Sequence, residues 1–203
     1  MKQVNVGLLG LGNVGKGTYT ILTNHAEKIA SMSGSRIKVK KILVSDVNKK
    51  RDIDVPKEIL TTDADAILND PDIDVIVELL GGIDTADFYM KEAILRGKHV
   101  VTANKAVIAT HGPELMELSK RNRVLLLHEA SVAGGIPVIT AMLKPLAGNE
   151  LTEIIGIVNG TTNYILTQMT DNNMEYDTAL KLAQEKGFAE ADPTSDVEGE
   201  DAA

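Results

Sequence analysis

VNVGLLGLGNVGKGTYTIL, Val4 to Leu22, is the stretch whose reading decides the fold. It opens with a short apolar run, Val4 to Leu9, that has the composition of a buried strand. Gly10, Gly12 and Gly15 follow at GxGxxG spacing, and a helical pattern without proline runs on from them. Each glycine has a physical task. Gly10 allows the tight turn out of the strand, Gly12 lets a pyrophosphate approach the backbone, and Gly15 lets the helix pack closely on the strand. The helix then offers its unpaired N–H groups and positive dipole end to phosphate. A bare GxGxxG is a weak signal, because glycine-rich loops are common. The strand before it and the helix after it turn the spacing into an expectation of dinucleotide binding.

Outward from that stretch, strands alternate with helices. Lys38 to Val44 reads as the second strand, and the pattern continues with a helix over Thr61 to Asn69. A third strand is expected over Asp74 to Leu80, a helix over Asp87 to Arg96, and a fourth strand over His99 to Ala103. A helix from about Pro113 to Lys120 and a fifth strand over Val124 to His128 complete the series. Such alternation predicts an α/β fold with a doubly wound, Rossmann-type parallel sheet. Ligands in such sheets sit at the carboxyl ends of the strands. That rule makes Gly10 to Gly15, Gly81-Gly82, Thr102, Ala103, Lys105 and Glu129 neighbours of one crevice.

The second strand ends at Ser45-Asp46, followed by Lys49, Lys50 and Arg51. An acid at this strand end holds the adenosine ribose of NAD, whereas cations accept the extra phosphate of NADP. Both occur here, and the basic triplet is equally well read as a solvated loop. Lys105, just past a strand end, is placed to hold an anion or polarise a carbonyl, or is simply a surface lysine. Glu129 opens EASVAGGIP, a small-residue loop whose carbonyls can converge with the carboxylate on a hard cation. The same glutamate is also placed to cap the N–H groups of the following helix, expected over Val138 to Leu146. Beyond it Leu151 to Val158 reads as a strand of a new sheet, then come a polar turn, Asn159 to Asn163, and a helix from Tyr164. Tyr176 to Lys186 is the last expected helix, stopped by Gly187 and followed by an acidic tail. Two domains result: a dinucleotide-binding domain over 1–135 and, over 136–203, the N-terminal part of an α+β substrate domain.

Composition narrows the function classes. A chain of 203 residues buries a good core. A net charge of −8 without a basic cluster argues against a nucleic-acid binder. The absence of cysteine excludes a disulfide, a thiolate metal site and a thiol nucleophile. No stretch approaches the roughly 18 apolar residues of a membrane span, and the start is too interrupted by glycine for a signal peptide. These features give the expectation of a soluble, cytoplasmic protein.

Taken together, GLGNVG, GKHVVTANKA, HEASVAGGIP and GIVNGTTNYIL resemble the successive landmarks of homoserine dehydrogenases. The tail resembles the family signature most closely: Gly187-Phe188, Glu190, Asp192-Pro193, Asp196-Val197 and Gly199 to Asp201. The resemblance covers essentially the whole chain. It implies NAD(P)-dependent interconversion of L-homoserine and L-aspartate 4-semialdehyde in threonine, methionine and isoleucine biosynthesis, by an enzyme that is a homodimer when full length. By similarity, Gly10, Asn13, Val14 and Gly15 contact the cofactor, with Lys105 at its nicotinamide end and Gly187 nearby; their places in the motif and at the strand ends add Leu11, Gly12, Asp46, Lys49, Thr102 and Ala103 to the expected cofactor site. Glu190 and Asp201 correspond to substrate carboxylates, with Lys105 and Asp201 in catalytic roles. Glu129, with the carbonyls of Val132, Gly134 and Ile136, matches a family sodium site. Two departures stand out. Ser45 occupies a position where relatives often carry arginine, which removes one reason for strict NADP preference. The family signature also ends in a lysine four residues after its last aspartate, two positions past Ala203, so the chain is expected to be an N-terminal portion that does not turn over by itself. Aspartate-semialdehyde dehydrogenase, which shares a substrate, needs the cysteine nucleophile missing here. Dihydrodipicolinate reductase and a redox-sensing NADH binder are the other rivals. Nothing in the chain resembles the substrate loop of the first, or supplies the recognition helix and basic face of the second.

Overall fold

A computed structural model describes residues 1–202. Six strands form one parallel sheet: β1 (Lys2–Leu9), β2 (Ser35–Leu43), β3 (Leu60–Thr61), β4 (Val75–Glu78), β5 (His99–Thr102) and β6 (Leu126–Leu127). Their order is β3-β2-β1-β4-β5-β6, with every neighbouring pair parallel. The chain therefore winds outward from β1 to one edge, returns, and winds outward from β4 to the other. Between β1 and β4 the strand order reverses, which is where such sheets open a crevice at the carboxyl ends.

The helices of this region are α1 (Asn13–Asn24), α2 (Ala26–Ser33), α3 (Asp65–Leu68), α4 (Asp84–Leu95), α5 (Lys105–Arg121) and α6 (Ile139–Leu143). Leu8 and Leu9 are adjacent in β1 and both fully buried, so they point to opposite faces of the sheet and both faces are covered. Leu8 joins Val6, Tyr19, Ile42 and Val44 in one core. Leu9 joins Ile67, Ile76, Met90, Ile94, Val107 and Leu115 in the other. A strand buried on both faces reads as a continuous apolar run, and that is why Val4 to Leu9 is legible.

Several elements differ from the sequence expectation. The helix expected over Thr61 to Asn69 is an edge strand, β3, followed by the single turn of α3. Helix α5 starts at Lys105, ahead of the expected Pro113, which lies inside it. Asn104 sets that start: its side chain accepts the N–H of Val107 at 3.2 Å and caps the helix. Strands β4 and β6, the neighbours of β5 in the sheet, are shorter than expected.

The chain divides into two compact units, Met1–Leu146 and the residues from Ala147 onward. The second contains α7 (Gly160–Asp171), α8 (Tyr176–Glu185) and α9 (Thr194–Val197). Ile165, Ala179, Ala183 and Ala189 form its small core, and the rings of Tyr164 and Phe188 stack with centroids 4.6 Å apart. The strand expected over Leu151 to Val158 does not form: these residues carry no regular structure and all of them are exposed, Ile155 at 85%. The apolar composition is there, but no strand among the described residues pairs with it, and an unpaired strand has no ladder to hold it. Nor is 159–163 a turn. Asn159 caps α7 by accepting the Thr162 N–H at 2.8 Å, so the helix begins at Gly160.

Candidate functional site

At the switch between β1 and β4 lies an open crevice of about 650 Å³. The loop at its floor owes its shape to two close approaches. Gly10 has φ +106°, and a Cβ there would stand 2.7 Å from the carbonyl oxygen of Leu79. A Cβ on Gly15 would run into the carbonyl oxygen of Gly10. Gly12 differs, because a Cβ added to it meets no protein atom within 4 Å. It caps α1 with ordinary extended backbone, so nothing in the protein itself requires a glycine there. The space it leaves opens into the crevice, at the N-terminus of a 12-residue helix, where unpaired N–H groups favour an anion. This helix carries no acid in its first turn to compete for those groups.

Gly10, Leu11, Gly12, Asn13 and Lys49 all line the crevice, beside Lys50 and Arg51. Val14 is exposed on the first turn of α1, and Gly15 is buried beneath the loop. The basic residues of the 46–52 loop thus face the same space as the glycine loop. Arg51 is held in place: its guanidinium donates to the carbonyls of Asp46 at 2.8 Å and Lys49 at 2.9 Å. Asp46 is used differently from the ribose-holding role. Its carboxylate accepts the N–H of Asn48 at 2.8 Å and closes a local turn. Across the crevice, Lys16 on α1 pairs with Asp52 at 2.7 Å. The ammonium holds the Asp52 carboxyl below its ordinary range.

Thr102 ends β5, Ala103 follows it, and Lys105 is the exposed first residue of α5. Thr102 is buried, and its hydroxyl lies 2.5 Å from the carboxylate of Glu78 at the end of β4. Glu78 escaped the sequence reading. The available signal was an acid inside the otherwise apolar run DVIVELL, since a fully buried carboxylate needs partners.

The carboxylate of Glu129 caps α6. Its oxygens accept the N–H of Ile139 at 2.9 Å, the N–H of Thr140 at 2.7 Å and the hydroxyl of Thr140 at 2.5 Å. The Thr140 hydroxyl, above all, holds the Glu129 carboxyl below its usual range. Of the two readings left open for Glu129, the helix cap is the one this geometry displays. Val132, Gly134 and Ile136 lie in the loop between the 3₁₀ turn at Glu129–Ser131 and α6. Among the described residues, no three His, Cys, Asp or Glu side chains gather as a metal site.

Gly187, Glu190 and Asp201 belong to the second unit. Gly187 ends α8, and Glu190 is exposed. Asn159 supplies the organisation here: its Nδ2 donates to Asp196 at 2.8 Å and to Asp201 at 3.0 Å, while its Oδ1 accepts from Thr162. One buried amide thus gathers two aspartates of the acidic tail and starts a helix with its other end. Sequence alone had read Asn159 only as a turn residue.

A family profile described as "Homoserine dehydrogenase, NAD binding domain" matches residues 10–129, and one described as "Homoserine dehydrogenase" matches 137–203. The chain is 49% identical to a homoserine dehydrogenase of Bacillus subtilis, over all of this chain and 47% of that one. It is 46% identical to one of Pseudomonas aeruginosa, over all of this chain and 46% of that one. Among solved structures, homoserine dehydrogenase of S. aureus at pH 8.5 superposes with a TM-score of 0.85 at 42% identity, covering all of this chain and 48% of that one. A hyperthermophilic archaeal homoserine dehydrogenase in complex with NADPH gives a TM-score of 0.72 at 27% identity, covering 98% of this chain and 66% of that one. The chain spans about half the length of the curated relatives it matches.

Proposed function

From the premise that this chain belongs to the homoserine dehydrogenase family, we propose that it interconverts L-homoserine and L-aspartate 4-semialdehyde with NAD(P), contributing the cofactor crevice and part of the substrate site. The observation that carries this is Gly12. It is a glycine the fold does not need, at a helix N-terminus, facing an open crevice at the sheet's switch point. The pyrophosphate lies over residues 10–15, and Lys49, Lys50 and Arg51 serve the adenosine end. Bound, the cofactor supplies the hydride acceptor. This chain's residues bind it, orient it and hold charge near it. By the family resemblance Lys105 is assigned to the nicotinamide end, Gly187 to cofactor binding, and Glu190 and Asp201 to the ammonium and hydroxyl of homoserine.

Asp201 is suited to such a role, because the Asn159 amide engages one of its oxygens and so fixes the carboxylate's orientation. For the cation, the Glu129 carboxylate accepts three bonds from α6 and a further one from the Val138 N–H, which together take up the roughly four acceptor positions of a carboxylate. On the family resemblance, Glu129 with the carbonyls of Val132, Gly134 and Ile136 is assigned to a loosely held monovalent ion such as sodium, which would have to displace one of these bonds. We also assign domains over 1–135 and 136–203, a homodimeric assembly, a place in the cytoplasm, and service to threonine, methionine and isoleucine synthesis. The assembly and the pathways rest on the family resemblance, the domain bounds on the change of pattern along the sequence, and the location on composition. Among the described residues no helix is long and apolar enough to cross a membrane.

Titration of the purified chain with NADPH, read by nicotinamide fluorescence, tests the proposal. The expected result is saturable binding that L-homoserine perturbs and L-serine does not. No binding of NADPH or NADH would overturn it.

A further inference from the structure

Glu78 is fully buried at the carboxyl end of β4, next in the chain to Leu79 of the crevice lining, and no step proposed above uses it. One carboxylate oxygen accepts the N–H of Leu80 at 2.7 Å, and the other meets the Thr102 hydroxyl at 2.5 Å. The Thr102 hydroxyl oxygen in turn accepts the N–H of Asn104 at 3.0 Å. The Asn104 side chain also bonds Glu78, and its Nδ2 donates to the carbonyl of Gly82 at 2.8 Å and, at 3.4 Å, to that of Leu80. The Oδ1 of Asn104 caps α5, whose first residue is Lys105. A closed circuit thus links the ends of two neighbouring strands, the strip 79–82 and the start of a helix. Leu79, Leu80 and Gly81 of that strip line the crevice.

Burying an ionisable group is costly unless the geometry around it is satisfied. Here desolvation pushes the Glu78 carboxyl up, while hydrogen bonds from Thr102, Leu80 and Asn104 pull it back. An apolar residue would fill the same strand position without that cost, and the other inward residues of the run, Ile76 among them, are apolar. What an apolar residue cannot do is hold the backbone beyond the strand. After Glu78 the chain leaves the ladder, so residues 79–82 lack sheet pairing on the β5 side, where register ends at Glu78 and Thr102.

We propose that Glu78 is a positioning residue for the dinucleotide crevice: through Thr102 and Asn104 its carboxylate fixes the strip 79–82 against the start of α5, and so sets the wall on which the cofactor rests and the place from which Lys105 departs. This rests on the crevice being the dinucleotide site. The partner hydroxyl makes it testable without disturbing the core, because valine matches threonine in shape and serine keeps the hydroxyl. In the complete chain, Thr102→Val and Glu78→Gln should each weaken NADPH binding about tenfold, the order expected for a lost hydrogen bond to a buried charge. Thr102→Ser should stay within about threefold of wild type, and the double variant should bind no worse than the weaker single variant, since both changes cut one circuit. A lowered Tm with NADPH affinity unchanged in Thr102→Val and Glu78→Gln would show a merely structural role and overturn the inference. Equal losses in Thr102→Ser and Thr102→Val would overturn it too. If Glu78→Gln does not fold, the Thr102 pair decides. Wild type failing to bind NADPH overturns the functional reading and this role together, whereas wild type binding with unaffected variants overturns this role alone.

Discussion

A Cβ at position 12 would meet no described protein atom within 4 Å, whereas one at position 15 would strike the backbone of Gly10. The two glycines of one motif therefore answer to different partners, and substitution separates them. Gly12→Val should fold with a Tm within a few degrees of wild type and lose NADPH binding by at least about a hundredfold, because the added methyls occupy pyrophosphate space. Gly15→Val should instead unfold readily, with stability reduced by about 3 kcal/mol or more, since neither the strand end nor the helix can shift without breaking the core. Paired thermal melts and fluorescence titrations check both. A destabilised Gly12→Val, or one that binds normally, would contradict the assignment of that space to a ligand.

At the scale of elements, the 46–52 loop brings three cations to the crevice while its one candidate ribose acid closes its own turn. Both cofactors should bind, with NADPH the tighter by about ten- to a hundredfold, and that margin should shrink in raised salt because exposed charges are screened. Lys49→Ala together with Lys50→Ala should bring NADPH affinity down toward that of NADH and leave NADH nearly unchanged. A preference for NADH in wild type would show that Asp46 leaves its turn to hold the ribose. Residues 151–158 pose the opposite case, an element with the composition of a strand and no pairing strand among the described residues. Their exposed Ile154, Ile155, Ile157 and Val158 should make the chain self-associate as concentration rises, since exposed apolar segments of high β-propensity do so. Ile155→Lys should reduce the weight-average mass seen by light scattering. An unchanged, monomeric scattering signal for wild type would sink this.

For the molecule as a whole, acid stability is set by carboxylates pulled in opposite directions. Asp70 lies in the connection between α3 and β4, bonded to Lys40 at 2.9 Å, and that ammonium holds its carboxyl below the usual range. A lowered folded-state value means stability fully present above the unfolded value, about pH 4, and lost as pH falls through the folded one. Glu78 has the opposite sign: its raised value means that protonation favours the folded state, so its penalty grows as pH rises past about 4. Asp70→Asn should therefore lower Tm most at pH 7, with the difference from wild type closing below about pH 3. Glu78→Gln should lose less stability at pH 7 than its burial suggests, since the charged form is the penalised one. A gap for Asp70→Asn that stays constant from pH 7 to 3 would contradict the ion-pair origin.

Local chemistry was enough to make much of this protein readable as sequence. A strand buried on both faces is a continuous apolar run, and a loop that passes strand and helix within contact distance needs glycine at fixed offsets. Hence Val4 to Gly15, the parallel sheet and the floor of the crevice were all legible. Helix caps were partly so. The start of α5 at Asn104 was signalled by the asparagine but hidden by Pro113, whose usual place in a first turn drew the start too far along the chain. Only the tertiary structure decided the rest, because it depends on which distant residues meet. Glu78 looked like a strand residue until β5 brought Thr102 to it, and Asn159 looked like a turn until the tail folded back with Asp196 and Asp201. The apolar run 151–158 shows the limit in reverse: composition gives a segment the capacity for a strand, but a strand exists only where another backbone is present to pair with it.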